Sequence, residues 1–234
     1  MMNPAEEQKW SLRYERKFFV SDLSQHEVGH IVRNHPAMFR EVFPARQVNN
    51  IYFDTPDARH WRDNVNGLAE RTKVRLRWYG ETFGAVTKPT LQVKGKRGVA
   101  SWKESYPAPS LVYSRGPGFD IRSLLREHLV VGESARARFE TLDATLLNSY
   151  QRQYYLSTNE KFRLTIDVAV TFHRVGRAGE VYLENIRHDD TVIVELKYGP
   201  DSDATADEVS SKLPFLVTKS SKYAIGMGCL NGES

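Results

Sequence analysis

Lysines and arginines recur at every second position within strand-like runs from one end of this chain to the other, a spacing that narrows the folds open to it. The clearest runs are KVRLR (Lys73, Arg75, Arg77), LQVKGK (Lys94, Lys96) and VIVELKY (Glu195, Lys197), with Arg163 in FRLTIDV. Successive β side chains point to opposite faces, so residues two apart share a face. A solvated strand face ordinarily mixes both charge signs with Thr, Ser and Glu. Unit charges roughly 6 Å apart repel by about 0.7 kcal/mol in water and by several times that in a lower dielectric, a cost that a bound anion offsets. Nearly all-cationic faces on several strands therefore predict an inward-facing site for a polyphosphate-like anion. The competing reading of any single strand is a half-buried strand with its polar face in water.

The chain is 234 residues long and 40% hydrophobic, enough for one large domain with a real core, and it is read as a single domain over residues 1–234 with residues 1–10 as a flexible extension. The formal charge of +4 is too small to name a partner by itself. One cysteine, Cys229, excludes an intramolecular disulfide and suits a reducing compartment. The polar start MMNPAEEQKW lacks a signal-peptide core, and no run reaches the roughly 18 apolar residues of a membrane helix. A cytoplasmic protein is expected.

Alternation predicts strands over Leu12–Val20, Gln47–Phe53, Lys73–Tyr79, Thr90–Lys96, Ser101–Tyr106, Ser149–Leu156, Phe162–Phe172 and Thr191–Tyr198, with a shorter one near Val181–Asn185. Helical patterns fall at Ser24–Asn34, Ile121–Val131, Arg136–Leu147, Thr205–Lys212 and Ser221–Leu230, and Pro107–Gly118 reads as a long loop. About eight strands in mostly antiparallel order imply an α+β fold built on a barrel or a strongly curved sheet.

Six motifs in order, RYERKF, IYFDTPD, KVRLRWYG, SYQRQYY, RLTID with VIVELK, and SSKYAIG, span Arg13 to Gly226. Together they resemble the VTC domain, the polyphosphate polymerase module within the CYTH or triphosphate tunnel metalloenzyme superfamily. The resemblance implies an eight-stranded antiparallel β-barrel, helices packed outside it, and a basic tunnel that holds a triphosphate. By position it implies that Lys17, Arg75, Arg77, Lys94, Arg152, Arg163 and Lys222 bind phosphate, with Lys197 beside them, and that Glu195 holds Mn²⁺ or Mg²⁺. Arg75, Arg77, Arg152, Arg163 and Lys222 would carry the catalysis. Arginine forks phosphate oxygens while lysine supplies compact charge. Glu15 and Asp167 are candidate further metal ligands, or else ion-pair partners that orient a neighbouring Arg or Lys. Such a metal needs only one or two protein carboxylates, because phosphates and waters complete its shell.

The implied reaction transfers a phosphoryl group from a nucleoside triphosphate, ATP first among them, to inorganic polyphosphate. The sequence departs from the hydrolytic relatives in carrying Arg13 where their ExExK pattern has its first glutamate, and Gln92 where an acidic residue is expected. Fewer carboxylates favour a polymerase over a two-metal hydrolase. A tripolyphosphatase or nucleoside triphosphatase, and a polyanion-binding module without turnover, stay open as alternatives, and no nucleic-acid partner is expected. VKGKRGV lacks P-loop spacing and reads as a hairpin turn. His26 and His30, four apart on the first helix, have no acidic or cysteinyl partner nearby to complete a metal site. Ser220 and Ser221 predict an N-cap that aims Lys222 at an anion.

Overall fold

The alternating runs come together in one large antiparallel sheet in a computed structural model, which describes residues 14–97, 100–114, 120–128, 133–176, 180–187, 191–218 and 221–232. In chain order these residues form β1 (Tyr14–Val20), α1 (Gln25–Arg33), β2 (Arg40–Asp54), α2 (Arg59–Val65), β3 (Glu70–Tyr79), β4 (Gly84–Val86), β5 (Thr90–Arg97), β6 (Ala100–Pro107) and β7 (Leu111–Tyr113). There follow α3 (Ile121–His128), α4 (Glu133–Glu140), β8 (Asp143–Leu156), β9 (Phe162–Val175), β10 (Val181–Arg187), β11 (Val192–Tyr198), α5 (Asp203–Ser211), β12 (Val217–Thr218) and α6 (Lys222–Asn231). The sheet runs β12-β1-β11-β9-β8-β2-β3-β5-β6, with β10 beside β9, while β4 and β7 form a small separate ladder. Arg13 and residues 1–10 lie outside the described residues.

Among the described residues the ladder does not close. Its ends are β12 and β6, so the expected eight-stranded barrel is corrected to an open sheet of ten strands. It is nevertheless strongly curved. β1 and β5 stand six strand spacings apart along the path, roughly 29 Å on a flat sheet at about 4.8 Å each. Yet Lys94 on β5 feels the charges of Lys197, Glu15 and Glu195, and Lys73 on β3 feels Lys17 and Glu15. Such coupling requires the sheet to curl into a trough whose two walls face each other.

Packing explains the curl. On the convex side one core joins Ile51, Leu76, Trp78, Leu91 and Val93 to Ile121 and Leu125 of α3. A second joins Phe18, Leu164, Ile166, Val194 and Leu196 to Val28 and Val32 of α1 and Ala206 of α5. α1 starts where expected, with Ser24 and Glu27 forming a reciprocal capping box. Gly95 leaves room for the Trp102 ring, since a Cβ there would lie 2.0 Å from it.

Not every helix is outside. α6 lies on the concave face, where Tyr223 and Met227 pack against Val48, Tyr52, Leu146, Tyr150 and Ile193, which corrects the expectation of external helices. Its approach is close: a Cβ on Gly226 would meet Phe172 at 2.5 Å and Leu146 at 2.7 Å. The predicted helix over Arg136–Leu147 is also corrected, because Asp143–Leu147 opens β8. Leu146 is buried under α6 and Leu147 in the convex core, and a strand buried on both faces loses the alternation that identifies it. The 107–118 loop contains β7, which pairs with β4.

Candidate functional site

Register places the cations on one face. Arg75 lies across from Tyr52 and Gln92, Arg77 from Asn50, and Lys73 from Lys94. On the opposite wall Lys17 lies across from Glu195, Lys197 from Glu15 and Arg163, and Arg152 from Asp167. Directly paired residues project to the same side of a sheet, so all of these share the concave face. Lys222 joins them from the first turn of α6, whose N-cap Ser221 accepts a hydrogen bond from the Ala224 amide.

A bulge in β9 makes the arrangement work. Between Ser149 and Gln151 of β8 the partner register slips by one residue, and Ala169 takes a left-handed φ of 50°. Before the bulge Asp167 faces the trough; beyond it Phe172 does, under α6. One strand thereby supplies both a charged wall and an apolar seat.

Asp167 and Glu195 are each buried within a knot of cations. Asp167 accepts a bidentate pair of bonds from Arg152 at 2.5 and 2.6 Å and contacts the Lys222 ammonium at 2.5 Å. Glu195 meets Lys197 at 2.9 Å, Arg152 at 3.3 Å, Lys222 at 3.6 Å and Lys17 at 3.9 Å. Burial alone would raise both carboxyl pKa values. For Asp167 the charges of Arg152 and Lys222 outweigh it, and for Glu195 those of Lys197, Lys222, Arg152 and Lys17, so both stay ionised below their ordinary range. Burial likewise opposes charge on Lys222, yet Asp167 and Glu195 hold its pKa above the usual lysine value. Tyr150 braces the knot, its ring 5.2 Å from the Arg152 guanidinium and 4.8 Å from the Lys222 ammonium.

The facing wall has a different electrostatic character. Arg75 is held by Gln92 Oε1 at 2.8 and 3.1 Å, and Arg77 by Asn50 Oδ1 at 2.7 Å and the Tyr150 hydroxyl at 3.0 Å. Among the described residues none of Lys73, Arg75, Arg77 or Lys94 forms an ion pair with a carboxylate. Burial, reinforced by Lys17, Arg71 and Arg75, pushes the Lys73 ammonium down to about 7. Burial with Arg75 and Lys197 lowers Lys94 well below its usual value, although its side chain still reaches solvent, as a group on the wall of an open trough does. Burial and Arg75 lower Arg77 too. These cations crowd one another around a space that favours an anion.

The metal donors can be judged from the same contacts. Among the described residues no group of three or more His, Cys, Asp and Glu side chains gathers into a protein-built metal cage. Glu15 and Glu195 flank Lys17, at 3.1 and 3.9 Å from its ammonium, and this hard-oxygen pair fits a divalent cation that also binds phosphates. Asp167, with no exposure and its oxygens taken by Arg152 and Lys222, is set as their counter-ion. Arg163 shares the face and is exposed at the start of β9, directly across from Lys197. Sequence reading missed Tyr150, Asn50 and α6's seat in the trough, all of which are uncharged or apolar contributions that the cation pattern does not reveal. His26 and His30 lie on α1, whose buried face packs into the convex core.

The chain is similar to several solved structures. The PH1819 protein of Pyrococcus horikoshii aligns with a TM-score of 0.51 at 13% identity, covering 94% of this chain and 99% of that one. A candidate adenylate cyclase from Vibrio parahaemolyticus gives 0.45 at 13% identity over 88% and 86% of the two chains. HpAC1 of Hippeastrum, a candidate adenylyl cyclase described as having a dominant triphosphatase activity, gives 0.48 at 12% identity over 92% and 96%. At these identities the first likeness speaks to the fold alone. No curated protein sequence matches the chain. The VTC domain profile, however, matches residues 12–231, and with nearly the whole chain covered, this protein belongs to the VTC domain family.

Proposed function

We propose that this chain is a metal-dependent phosphotransferase that moves the terminal phosphoryl group of a nucleoside triphosphate, ATP first, onto inorganic polyphosphate, using the cationic trough of one domain over residues 1–234. The observation that carries this reading is the unequal charge of the trough. One wall holds its carboxylates neutralised by Lys17, Arg152, Lys197 and Lys222; the other presents Lys73, Arg75, Arg77 and Lys94, which among the described residues make no ion pair with a carboxylate. A chain of phosphates lying between the walls would supply the missing negative charge. Membership in the VTC domain family supports the same reading.

Phosphoryl transfer makes few covalent demands on a protein and large demands on position and charge. The bond from the γ-phosphorus to the β–γ bridging oxygen breaks, a bond to the terminal oxygen of the polyphosphate forms, and a nucleoside diphosphate leaves. The acceptor oxygen is already anionic, so no general base is required. Arg75, Arg77 and Arg152, fixed by Gln92, Asn50 and Asp167, meet the charge spread over the transferred group without having to reorganise. Lys222 orients the γ-phosphate or the acceptor end, and Arg163 and Lys197 extend the cationic track toward solvent. A divalent ion, Mn²⁺ or Mg²⁺, held by Glu195 with Glu15, would supply further neutralisation of phosphate oxygens.

Among the described residues no helix is long and apolar enough to cross a membrane. The cytoplasm, reducing and rich in nucleoside triphosphates, suits the lone free thiol Cys229. Incubation with ATP and Mn²⁺, followed by gel analysis, tests the proposal: long polyphosphate is expected. Orthophosphate alone would replace the polymerase reading with a tripolyphosphatase or nucleoside triphosphatase, and binding without any product would replace it with a polyanion-binding module.

A further inference from the structure

β2 carries a second irregularity that the phosphate reading leaves unused. Its register with β8 slips between Phe43 and Arg46, so these residues, three apart, pair with Tyr154 and Arg152, which are two apart. Pro44 sits in the slip, where a strand tolerates a residue without an amide hydrogen. Phe43 and Arg46 consequently emerge on the same concave face, as Tyr79 does from the end of β3.

The four side chains form one cluster. The Arg46 guanidinium lies 5.1 Å from the Phe43 ring centroid, 5.9 Å from Tyr154 and 6.0 Å from Tyr79, and the Phe43 and Tyr154 rings meet edge to face at 5.9 Å. Phe43 and Tyr79 are each 51% exposed, and Arg46 is exposed as well. Among the described residues Arg46 has no carboxylate partner. Exposed aromatic rings gathered around a guanidinium that no carboxylate neutralises present a surface suited to a flat, electron-rich partner.

Position supplies the identity of that partner. Arg46 is cross-strand from Arg152, about 5 Å between Cα atoms, so the aromatic cluster adjoins the phosphate track at one point. From this geometry we infer that Phe43, Arg46, Tyr79 and Tyr154 form a stacking platform for the nucleobase of a nucleoside triphosphate whose phosphates lie on Arg152 and Arg77. The inference rests on the triphosphate reading above and adds the nucleoside to it. Recognition works through ring faces and the guanidinium plane, so purine and pyrimidine triphosphates should bind with similar strength, as sequence-tolerant stacking does.

Isothermal titration of ATP and of inorganic tripolyphosphate tests this, on the wild-type chain and on the Phe43→Ala, Tyr79→Ala double variant. The wild type should bind ATP more tightly than tripolyphosphate at matched charge, and the variant should lose about tenfold for ATP. Tripolyphosphate affinity should stay unchanged, which also reports that the variant is folded. Equal affinities for the two ligands in the wild type, or equal losses in the variant, would overturn the platform and leave the phosphate reading intact. If tripolyphosphate fails to bind the wild type, both readings fall together.

Discussion

Replacing Asp167 with Asn separates an electrostatic role from a steric one, because the amide keeps the shape and removes the charge. Asp167 has no exposure and makes three contacts of 2.5 to 2.6 Å with Arg152 and Lys222. At an effective dielectric near 20, a pair about 4 Å apart is worth roughly 4 kcal/mol, largely offset by the desolvation both groups already bear. The substitution leaves that desolvation in place, deletes the attraction, and turns an amide N–H toward groups that only donate. A loss of about 3–5 kcal/mol is expected, as for other broken buried pairs. For a chain of this size that lowers the melting midpoint by roughly 6–20 °C. Thermal unfolding followed by circular dichroism measures it, and Arg152→Gln added to Asp167→Asn should return part of the loss, since the orphaned cation is then gone. Tripolyphosphate should raise the midpoint of the single variant more than that of the wild type, because the freed cations gain an anion. A midpoint within about 2 °C of wild type would refute the view that Asp167 is the counter-charge of Arg152 and Lys222.

Three further outcomes are expected. Glu195→Gln should abolish Mn²⁺-dependent turnover while binding tripolyphosphate without metal at least as tightly as wild type, measured by titration calorimetry; weaker metal-free binding would contradict its position among four cations. Lys73, depressed in the fold to about 7 against an ordinary 10.5, is penalised while charged. The free protein should therefore gain stability from this group as pH rises from about 7 toward 10.5. Tripolyphosphate binding at about pH 8 should take up protons as the anion restores its charge, seen as a dependence of binding enthalpy on buffer ionisation; no such dependence would contradict the crowding of that wall. Gly226→Val should cost about 1–3 kcal/mol, read by denaturant unfolding, because its side chain would be driven into Phe172 and Leu146. An unchanged midpoint would mean that α6 does not seat as closely as described.

Much of this architecture was legible in the chain because its signals are local. Alternation in KVRLR and VIVELKY set the cations on one face of β3 and β11 without reference to any neighbour, and the same two-residue period located Lys17 and Glu15 on β1. Ser24 and Ser221 announced the starts of α1 and α6 through hydrogen bonds that span three residues. The carboxylates were legible as candidates, but their partners were not, since Asp167 and Lys222 meet from positions far apart in sequence.

What tertiary structure alone decided are the features that depend on register and on which surface is buried against which. The bulges at Ala169 and around Pro44 change which residues face the trough, and a slip of one residue against a partner strand leaves no periodic trace in the bulged strand itself. The seat of α6 inside the trough hid the start of β8, because burial of Leu146 and Leu147 on opposite faces erases alternation. Whether the sheet closes is likewise a property of its two edges, β12 and β6. The chain specifies a row of charges strand by strand; the curvature that brings two such rows across from each other arises only when the convex cores pack.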